Sequence, residues 1–300
     1  AIPIQFAVSA VFYNTELFDQ AGVKAADIKT WDDFLAACQK LKDAGITPLC
    51  LPGEANSGWA ISLFTGQLVQ RIGGEEVFDP IRNLEKDSTF MQDAFLEAGK
   101  MTMELVEKGY VQDTYMGDSV DMNYATFKSE FCAMQCQGSW AIGNYNGDDS
   151  QVVGKVKVFP FPEVKGGKGD SSKWMGKTDN VTISKNCKDV DRALLWIKYL
   201  SGEDFQRATV EEAGKFPTTN VEYDPAKCAS EVQAVLDISG SSTGVYPYID
   251  EALGNTFGTE WNSCLSAFFT GAKTVEAAFQ DLQAYNESME AKGGSEEAAE

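Results

Sequence analysis

The chain has 300 residues, and 43% of them are hydrophobic, which is enough apolar surface for a globular core of one large or two medium domains. Its formal net charge of −20 argues against nucleic-acid binding, because such proteins need clustered Lys and Arg to displace the counterions of a phosphate backbone. The chain contains no histidine, so Ser-His-Asp and Cys-His catalysis, His-ligated zinc and His proton shuttles are excluded within it.

The sequence predicts neither membrane spans nor a disulfide framework. No apolar run reaches the roughly 18 residues that a span requires. The seven cysteines are odd in number and widely spaced, and Cys132 and Cys136 lie in a predicted strand, about 13 Å apart and too distant to bridge. We interpret the cysteines as small buried hydrophobic residues. Any export signal is expected to lie outside this sequence, since no basic and apolar leader precedes the first strand.

The first half of the chain alternates predicted strands and helices. Residues 2–13 are apolar and uncharged, which is typical of a strand buried on both faces of a sheet. Thr30 with Asp33 three residues later predicts a capped helix, which Gly45 ends. The elements predicted next are a strand at 46–51, a polar loop at 52–58, helices at 59–71, 90–108 and 122–128, and a strand at 131–135.

The second half becomes mainly helical after residue 224. The elements predicted in this second half are strands at 156–161 and 180–184 and helices at 189–200, 203–213 and 274–289. The segment GGKGDSSK from Gly166 predicts a flexible glycine-rich loop. Trp196 and, earlier, Trp31 lie on amphipathic helices, and we expect both in the core. The charged residues 291–300 predict a disordered tail.

Six sequence blocks follow one another in an order that is typical of one protein family. They are FYNTELFDQAGV from Phe12, TWDDFLAACQKLKDAG from Thr30, FKSEFCAMQCQGSWAIG from Phe127, FPFP from Phe159, ISKNCKDVDRALLWIKYLSGEDFQ from Ile183, and GKFPTT from Gly214. No single block is diagnostic. In this order, and over most of its length, the chain resembles the maltose-binding-protein-like family 1 extracellular solute-binding proteins of ABC sugar importers.

The resemblance implies an α/β fold of two lobes joined by crossing strands, with the ligand held in the cleft between them. The segment FAVSAVFYN from Phe6 would be the first crossing strand. The second lobe would comprise 10–182 and 236–290, and the remnant of the first lobe would comprise 1–9 and 183–235. An earlier part of the first lobe would precede this sequence, so the sheet of that lobe would be incomplete here.

The candidate ligand-binding residues are aromatic and polar side chains near the implied cleft. A sugar site combines flat rings for the C–H faces of the sugar with carboxylates and amides for its hydroxyls. The candidates are Trp59, Glu54, Trp140, Trp174, Asp179, Asn180, Gln5, Ser9 and Phe257. A structural role stays open for each of them, as a core aromatic residue, a turn cap or a solvated polar group. No catalytic residue, cofactor site or EF-hand metal loop is found in the sequence.

The resemblance implies reversible capture of a carbohydrate, in particular an oligosaccharide, and its delivery to the transmembrane subunits of an ABC permease. The protein would be an extracellular or periplasmic monomer and not an enzyme. It would be held at the membrane by the permease or by a lipid anchor outside this chain. Three alternatives stay open: an enzyme that acts on glycosides with a carboxylate pair, a binding protein for a non-sugar solute, and a surface interaction module with an exposed apolar patch.

Overall fold

Strands and helices alternate through the first part of the chain, and helices prevail after Val181. A computed structural model describes residues 1–240 and 242–291. The strands are β1 Ile2–Asn14, β2 Thr47–Cys50, β3 Cys132–Gly138, β4 Val156–Phe159, β5 Lys173–Val181 and β6 Gly244–Tyr246. The helices are α1 Thr15–Gln20, α2 Trp31–Asp43, α3 Gly58–Gly73, α4 Asp79–Arg82, α5 Asp93–Glu107, α6 Val120–Lys128, α7 Ile142–Tyr145, α8 Val190–Leu200, α9 Glu203–Glu211, α10 Ser230–Ser239, α11 Ile249–Ala252, α12 Gly254–Phe269 and α13 Val275–Ala291.

The long strand β1 links two parts of the sheet. Residues 9–13 pair antiparallel with β3, and residues 11–14 pair antiparallel with β4. Residues 2–8 pair antiparallel with β5 instead, and β5 pairs parallel with β6. The strand order is β2-β3-β1-β5-β6, with β4 also on β1. One strand thus runs from the β3 region to the β5 region, as expected of a crossing strand.

Burial on both faces explains the apolar sequence of β1. Successive side chains of a strand point to opposite faces. Val11 belongs to one hydrophobic cluster, whereas its neighbours Ala10 and Phe12 belong to another. The first cluster is the larger and contains aromatic residues of α2, α3, α5, α12 and α13, namely Phe34, Phe64, Phe95, Trp261 and Phe279. The second contains residues of α6, α7 and α10. The doubly buried strand that we predicted is therefore confirmed.

The helix α2 begins as predicted, and α3 is the most deeply buried helix. The Thr30 hydroxyl accepts from Asp33 N, and the Asp33 carboxylate accepts from Thr30 N at 2.9 Å, which together form a capping box. The helix α3 packs against α5 and α12, and a hydrogen bond of 3.0 Å joins Thr65 to Thr102 of α5. Because these contacts hold α3 in place, the chain segments that pack against its two ends contact a fixed surface.

The glycine-rich loop at 166–172 packs against the C-terminal end of α3, which differs from the flexible loop that we predicted. Gly169 N donates to Arg71 O at 3.1 Å, so the loop satisfies a carbonyl group that the helix end leaves free. A Cβ on Gly169 would collide with Gln70 O. Glycine here allows two backbones to approach closely, and composition alone does not distinguish this use from flexibility.

Arg71, in the last turn of α3, holds the same loop from inside. The residue is 3% exposed, and its guanidinium donates to the carbonyl oxygens of Phe161, Asp170, Ser171 and Lys173 at 3.3 to 3.5 Å. The negative end of the helix dipole also favours a cation at this position. The loop is therefore joined to α3 by both backbone and side-chain hydrogen bonds.

The helix α8 exposes its apolar side chains among the described residues. Leu195 is 68% exposed and Trp196 is 59% exposed, so the prediction of a core position for Trp196 was wrong. Trp31, in contrast, is 6% exposed, as predicted. The periodicity of α8 correctly indicated an apolar helix face, but a sequence pattern does not show whether another element covers that face.

Several predicted boundaries shift in the structure. The strand predicted at 180–184 is β5, which begins at Lys173, because pairing with β1 and β6 fixes a segment of weak strand propensity. The helix α13 includes Ala291, and the rest of the predicted tail, 292–300, lies outside the described residues. The helix α10 packs against β4. The division into lobes at 10–182 with 236–290 and 1–9 with 183–235 stays a prediction.

The seven cysteines are free. Those that are buried, as predicted, are Cys38, Cys50, Cys132, Cys136 and Cys264, whereas Cys187 and Cys228 are partly exposed. Burial raises the pKa of the Cys136 thiol to about 12. A thiol with so high a pKa is almost entirely protonated at neutral pH, which makes it a poor nucleophile.

Candidate functional site

A cleft with a volume of about 760 Å³ lies where β1 passes from β3 to β5. This volume is within the range of small-molecule binding sites. Its aromatic residues are Trp59, Trp140 and Tyr248, its charged residues are Lys177, Asp179, Lys215, Asp250 and Glu251, and its amides are Gln5 and Asn144. Rings beside many polar groups are the composition that binds a polar ligand with apolar faces.

The lining residues come from several separate elements of the fold. Trp59 lies in the first turn of α3, and Trp140 follows β3. Lys177 and Asp179 are alternate residues of β5 and therefore lie on the same face of that strand. Tyr248 immediately precedes α11. The cleft is assembled by the tertiary fold and does not belong to any single loop.

The aromatic side chains form a connected group around Trp140. Its ring centroid is 6.2 Å from that of Trp59 and 5.7 Å from that of Tyr248. The Trp140 indole donates its Nε1–H to the Tyr124 hydroxyl at 3.3 Å. A Cβ on Gly138 would collide with the Trp140 ring, so the indole lies directly against the strand backbone. These contacts hold the indole in a fixed orientation at the wall of the cleft.

Lys177 joins two carboxylates and one ring of the lining. Its Nζ is 2.7 Å from Glu251 Oε1 and 3.2 Å from Asp179 Oδ1, and it lies 5.6 Å from the centroid of the Trp140 ring. Burial alone would lower the pKa of Lys177, but Glu251 and Asp179 together raise it above its usual value. The side chain is therefore a cation at neutral pH.

Asp250 is a half-buried carboxylate with neutral hydrogen-bond partners. Its Oδ2 accepts from Asn262 Nδ2 at 3.1 Å and its Oδ1 accepts from Glu251 N at 3.1 Å. Burial raises the pKa of Asp250, and the hydrogen bond from Asn262 opposes this shift. Within residues 1–240 and 242–291, no Lys or Arg forms an ion pair with it.

The structure brings part of the predicted set together. Gln5, Trp59, Trp140 and Asp179 line the same cleft. Ser9 lies just behind the lining, where its hydroxyl donates to the Tyr248 hydroxyl at 3.1 Å.

The other four candidates lie elsewhere, and two of them are core residues. Trp174 is 5% exposed in the second hydrophobic cluster, because it points to the face of β5 opposite Lys177 and Asp179. Phe257 is 7% exposed and packs against Phe90 in the first cluster.

Glu54 and Asn180 form local hydrogen bonds outside the lining. Glu54 Oε1 accepts from Asn56 Nδ2 at 3.0 Å and its Oε2 accepts from the Ser57 hydroxyl at 3.2 Å, ahead of α3. Asn180 is exposed and donates to Thr178 O at 2.8 Å. Our assignment of these two residues to the cleft, like that of Trp174 and Phe257, is corrected by their positions in the structure.

Sequence reasoning missed several lining residues. Those are Asn144, Lys177, Lys215, Tyr248, Asp250 and Glu251. Lys177 could have been found by strand alternation from Asp179, had the start of β5 been predicted correctly. The segment 248–251 carries no local signal, because its position at the cleft depends on how α11 packs.

The described ranges contain no helix with the length and apolar composition of a membrane span. They also contain no group of three or more Cys, Asp or Glu side chains that is arranged to hold a metal ion.

Residues 2–207 match the family described as bacterial extracellular solute-binding protein, and the chain belongs to this family. The multiple sugar-binding protein of Streptococcus mutans is 25% identical over 205 residues, which cover 67% of this chain and 47% of that protein. The xylose/arabinose-binding protein XacG of Haloferax volcanii is 24% identical over 292 residues, which cover 95% of this chain and 60% of that protein. The chain thus spans less than two thirds of the length of these relatives.

Solved structures show the same fold. A chitin oligosaccharide binding protein superposes with a TM-score of 0.88 at 26% identity, over 97% of this chain and 71% of that chain. A structure from work on xylan utilization by Caldanaerobius polysaccharolyticus superposes with a TM-score of 0.86 at 24% identity, over 95% of this chain and 72% of that chain. The predicted fold class is confirmed, and so is the predicted extracellular or periplasmic location, since the family is one of extracellular proteins.

Proposed function

We propose that this protein binds a carbohydrate, in particular an oligosaccharide, reversibly in the cleft and passes it to the permease of an ABC importer. The observation that carries the proposal is the pair of indole rings, Trp59 and Trp140, in a cleft of about 760 Å³ that also contains amides and carboxylates. Indole rings pack on the C–H faces of sugars, and the polar groups bind hydroxyls. A cleft of this volume is large enough for a ligand bigger than a single small polar molecule.

The names of related proteins support a sugar ligand. Proteins described as binding multiple sugars and arabinooligosaccharides match 67% and 79% of this chain. Delivery to the transmembrane subunits of a permease is the role that we infer for the whole protein, as a monomer that is held at the membrane by the permease or by a lipid anchor.

Binding without a covalent step agrees with the charges in the cleft. A glycosidase needs two carboxyl groups that are free to act as acid and as nucleophile or base. Lys177 is ion-paired with both Asp179 and Glu251, which leaves Asp250 as the lining carboxylate without an ion pair among the described residues. The exposed apolar residues of α8 match one feature of an interaction module, but the aromatic cleft favours binding of a small molecule.

Tryptophan fluorescence titration of the purified protein with neutral oligosaccharides tests the proposal. We expect a saturable change with at least one sugar class, and a loss of affinity of about tenfold or more in Trp59→Ala and Trp140→Ala. Trp196→Ala is the matched control, because Trp196 is exposed on α8 and does not line the cleft. A flat response to every sugar from a cooperatively folding protein would contradict the proposal, as would release of a reducing sugar from a glycoside.

A further inference from the structure

The charged lining residues of the cleft are an ion-paired group around Lys177, one separate carboxylate, Asp250, and a second cation, Lys215. The Lys177 ammonium lies between Asp179 and Glu251 at 3.2 and 2.7 Å. Both partners come from the protein, so the cation is already engaged before any ligand arrives. A ligand carboxylate that approached Lys177 would have to displace one of two carboxylates that are fixed on β5 and α11. This lysine is therefore a poor receptor for an anionic ligand.

Asp250 has hydrogen-bonding capacity that the described residues do not use. Each of its oxygens accepts one neutral hydrogen bond, from Asn262 or from the backbone of Glu251, whereas an ionised carboxylate offers about four acceptor positions. A half-buried carboxylate without a cation is unfavourable unless further donors reach it. Because Asp250 lines the cleft, a bound ligand can supply those donors as hydroxyl or ammonium groups.

The cleft lining and the whole chain both have a negative net charge. Lys177 and Lys215 provide two positive charges, and Asp179, Asp250 and Glu251 provide three negative charges, so the lining has a formal charge of −1. The whole chain has a formal charge of −20. A negative field concentrated in a cleft repels anions and attracts cations.

We infer that the cleft selects neutral and amino sugars over uronic acids, and that Asp250 is the acceptor that anchors a hydroxyl or ammonium group of the ligand. The inference rests on the proposed carbohydrate function and adds the charge class of the sugar. Lys215 is the other lining cation and could attract a uronate, but the three lining carboxylates outnumber the two lining cations.

The test is calorimetric titration of the purified protein with matched neutral and uronate oligosaccharides. The pairs are trimers of β-1,4-glucose and β-1,4-glucuronate, of α-1,4-galactose and α-1,4-galacturonate, and of β-1,4-mannose and β-1,4-mannuronate, with the β-1,4-glucosamine trimer added. In each pair that binds, we expect the neutral trimer to bind at least about tenfold more tightly than the uronate. Raising the salt concentration should narrow the difference, because screening weakens charge repulsion.

The variant Asp250→Asn distinguishes the contribution of the Asp250 charge from that of the shape of the cleft. It keeps the size of the side chain and removes the charge, so we expect neutral trimers to lose about tenfold to a hundredfold in affinity, as for a lost charge-assisted hydrogen bond, while the uronate loses less. Asp237→Asn is the matched control, because Asp237 is exposed on α10 and does not line the cleft.

The outcomes distinguish this inference from the proposed function. A uronate that binds as tightly as its neutral partner overturns the charge selection, and unchanged affinity in Asp250→Asn overturns the role of that residue. In both of these cases carbohydrate binding itself stands. If a protein that melts cooperatively binds none of the trimers and none of the broader neutral panel, the proposed function is contradicted. The inferred charge selectivity is then contradicted as well.

Discussion

Lys177 Nζ lies 2.7 Å from Glu251 Oε1, and this ion pair joins β5 to α11 at the wall of the cleft. The same ammonium contacts Asp179 and lies 5.6 Å from the centroid of the Trp140 ring. One side chain thus connects elements that are far apart in the sequence. A cleft whose lining is held together in this way needs little rearrangement to bind, and preorganisation of this kind lowers the entropy cost of binding.

We therefore predict that Lys177→Met weakens both ligand binding and the fold. Methionine keeps the apolar stem but leaves Asp179 and Glu251 without their cation, so the two carboxylates repel each other. The expected losses are about tenfold in sugar affinity and about 1 kcal/mol in the free energy of unfolding. Calorimetric titration and urea denaturation measure these losses. Lys157→Met, on an exposed position of β4, should change neither quantity, and equal behaviour of the two variants would contradict the prediction.

The contact between Gly169 and α3 predicts a strong effect of a single methyl group. Gly169→Ala would place a Cβ against Gln70 O and the backbone of Arg71, which forces the glycine-rich loop away from the helix end. We expect a loss of about 2 kcal/mol or more in the free energy of unfolding. Gly117→Ala is the control, because no atom lies within 4 Å of a Cβ at that position. A Gly169→Ala protein as stable as the control would show that the loop is not docked.

Short-range sequence patterns correctly predicted the elements that short-range interactions determine. The capping box at Thr30 and the doubly apolar strand β1 both follow from short-range patterns, and both are present. The start of β5 was missed, because KWMGKTDN has weak strand propensity and is held in the sheet by β1 and β6. That error also misplaced Trp174, which we expected beside the ligand and which is buried.

The candidate site was predicted in part for a related reason. Trp59 and Trp140 were found because a Trp next to a loop is a visible feature of the sequence. Asp250 and Glu251 were not found, since only the packing of α11 near β5 brings them to the cleft. Trp196, in contrast, was predicted to be buried and is exposed, because an apolar helix face is buried only where another element covers it.

A further prediction concerns how Trp140 is seated. A Cβ on Gly138 would collide with the six-membered ring of Trp140, so Gly138→Ala displaces the indole without removing it. We expect a loss of sugar affinity of about tenfold, together with a shifted tryptophan emission spectrum. Gly244→Ala is a matched strand variant, because its Cβ would meet Lys173 side-chain atoms only at 3.7 Å and beyond. Unchanged affinity in Gly138→Ala would show that the position of Trp140 does not matter for binding.

The last prediction concerns Glu231 in the first turn of α10, which is fully buried. Its Oε1 has no hydrogen-bond partner among the described residues, and burial raises the pKa of Glu231, although hydrogen bonds to the carboxyl group oppose the shift. The folded state therefore retains this proton at a pH where the unfolded chain, with an ordinary Glu pKa of about 4.3, has lost it. Stability should accordingly fall as the pH rises from about 4.3 through the raised pKa of the folded state.

Glu231→Gln tests this dependence, because an amide cannot ionise. Each unit by which the pKa is raised corresponds to about 1.4 kcal/mol, which the wild type loses across that pH range and the variant keeps. Urea denaturation at a series of pH values should therefore show the two proteins diverging above about pH 4.3, with the variant the more stable at neutral pH. Glu222→Gln, at an exposed position, should follow the wild type. Parallel curves for Glu231→Gln and the wild type would mean that Glu231 has the same pKa in the folded and unfolded states, so that α10 packs against a charge at neutral pH.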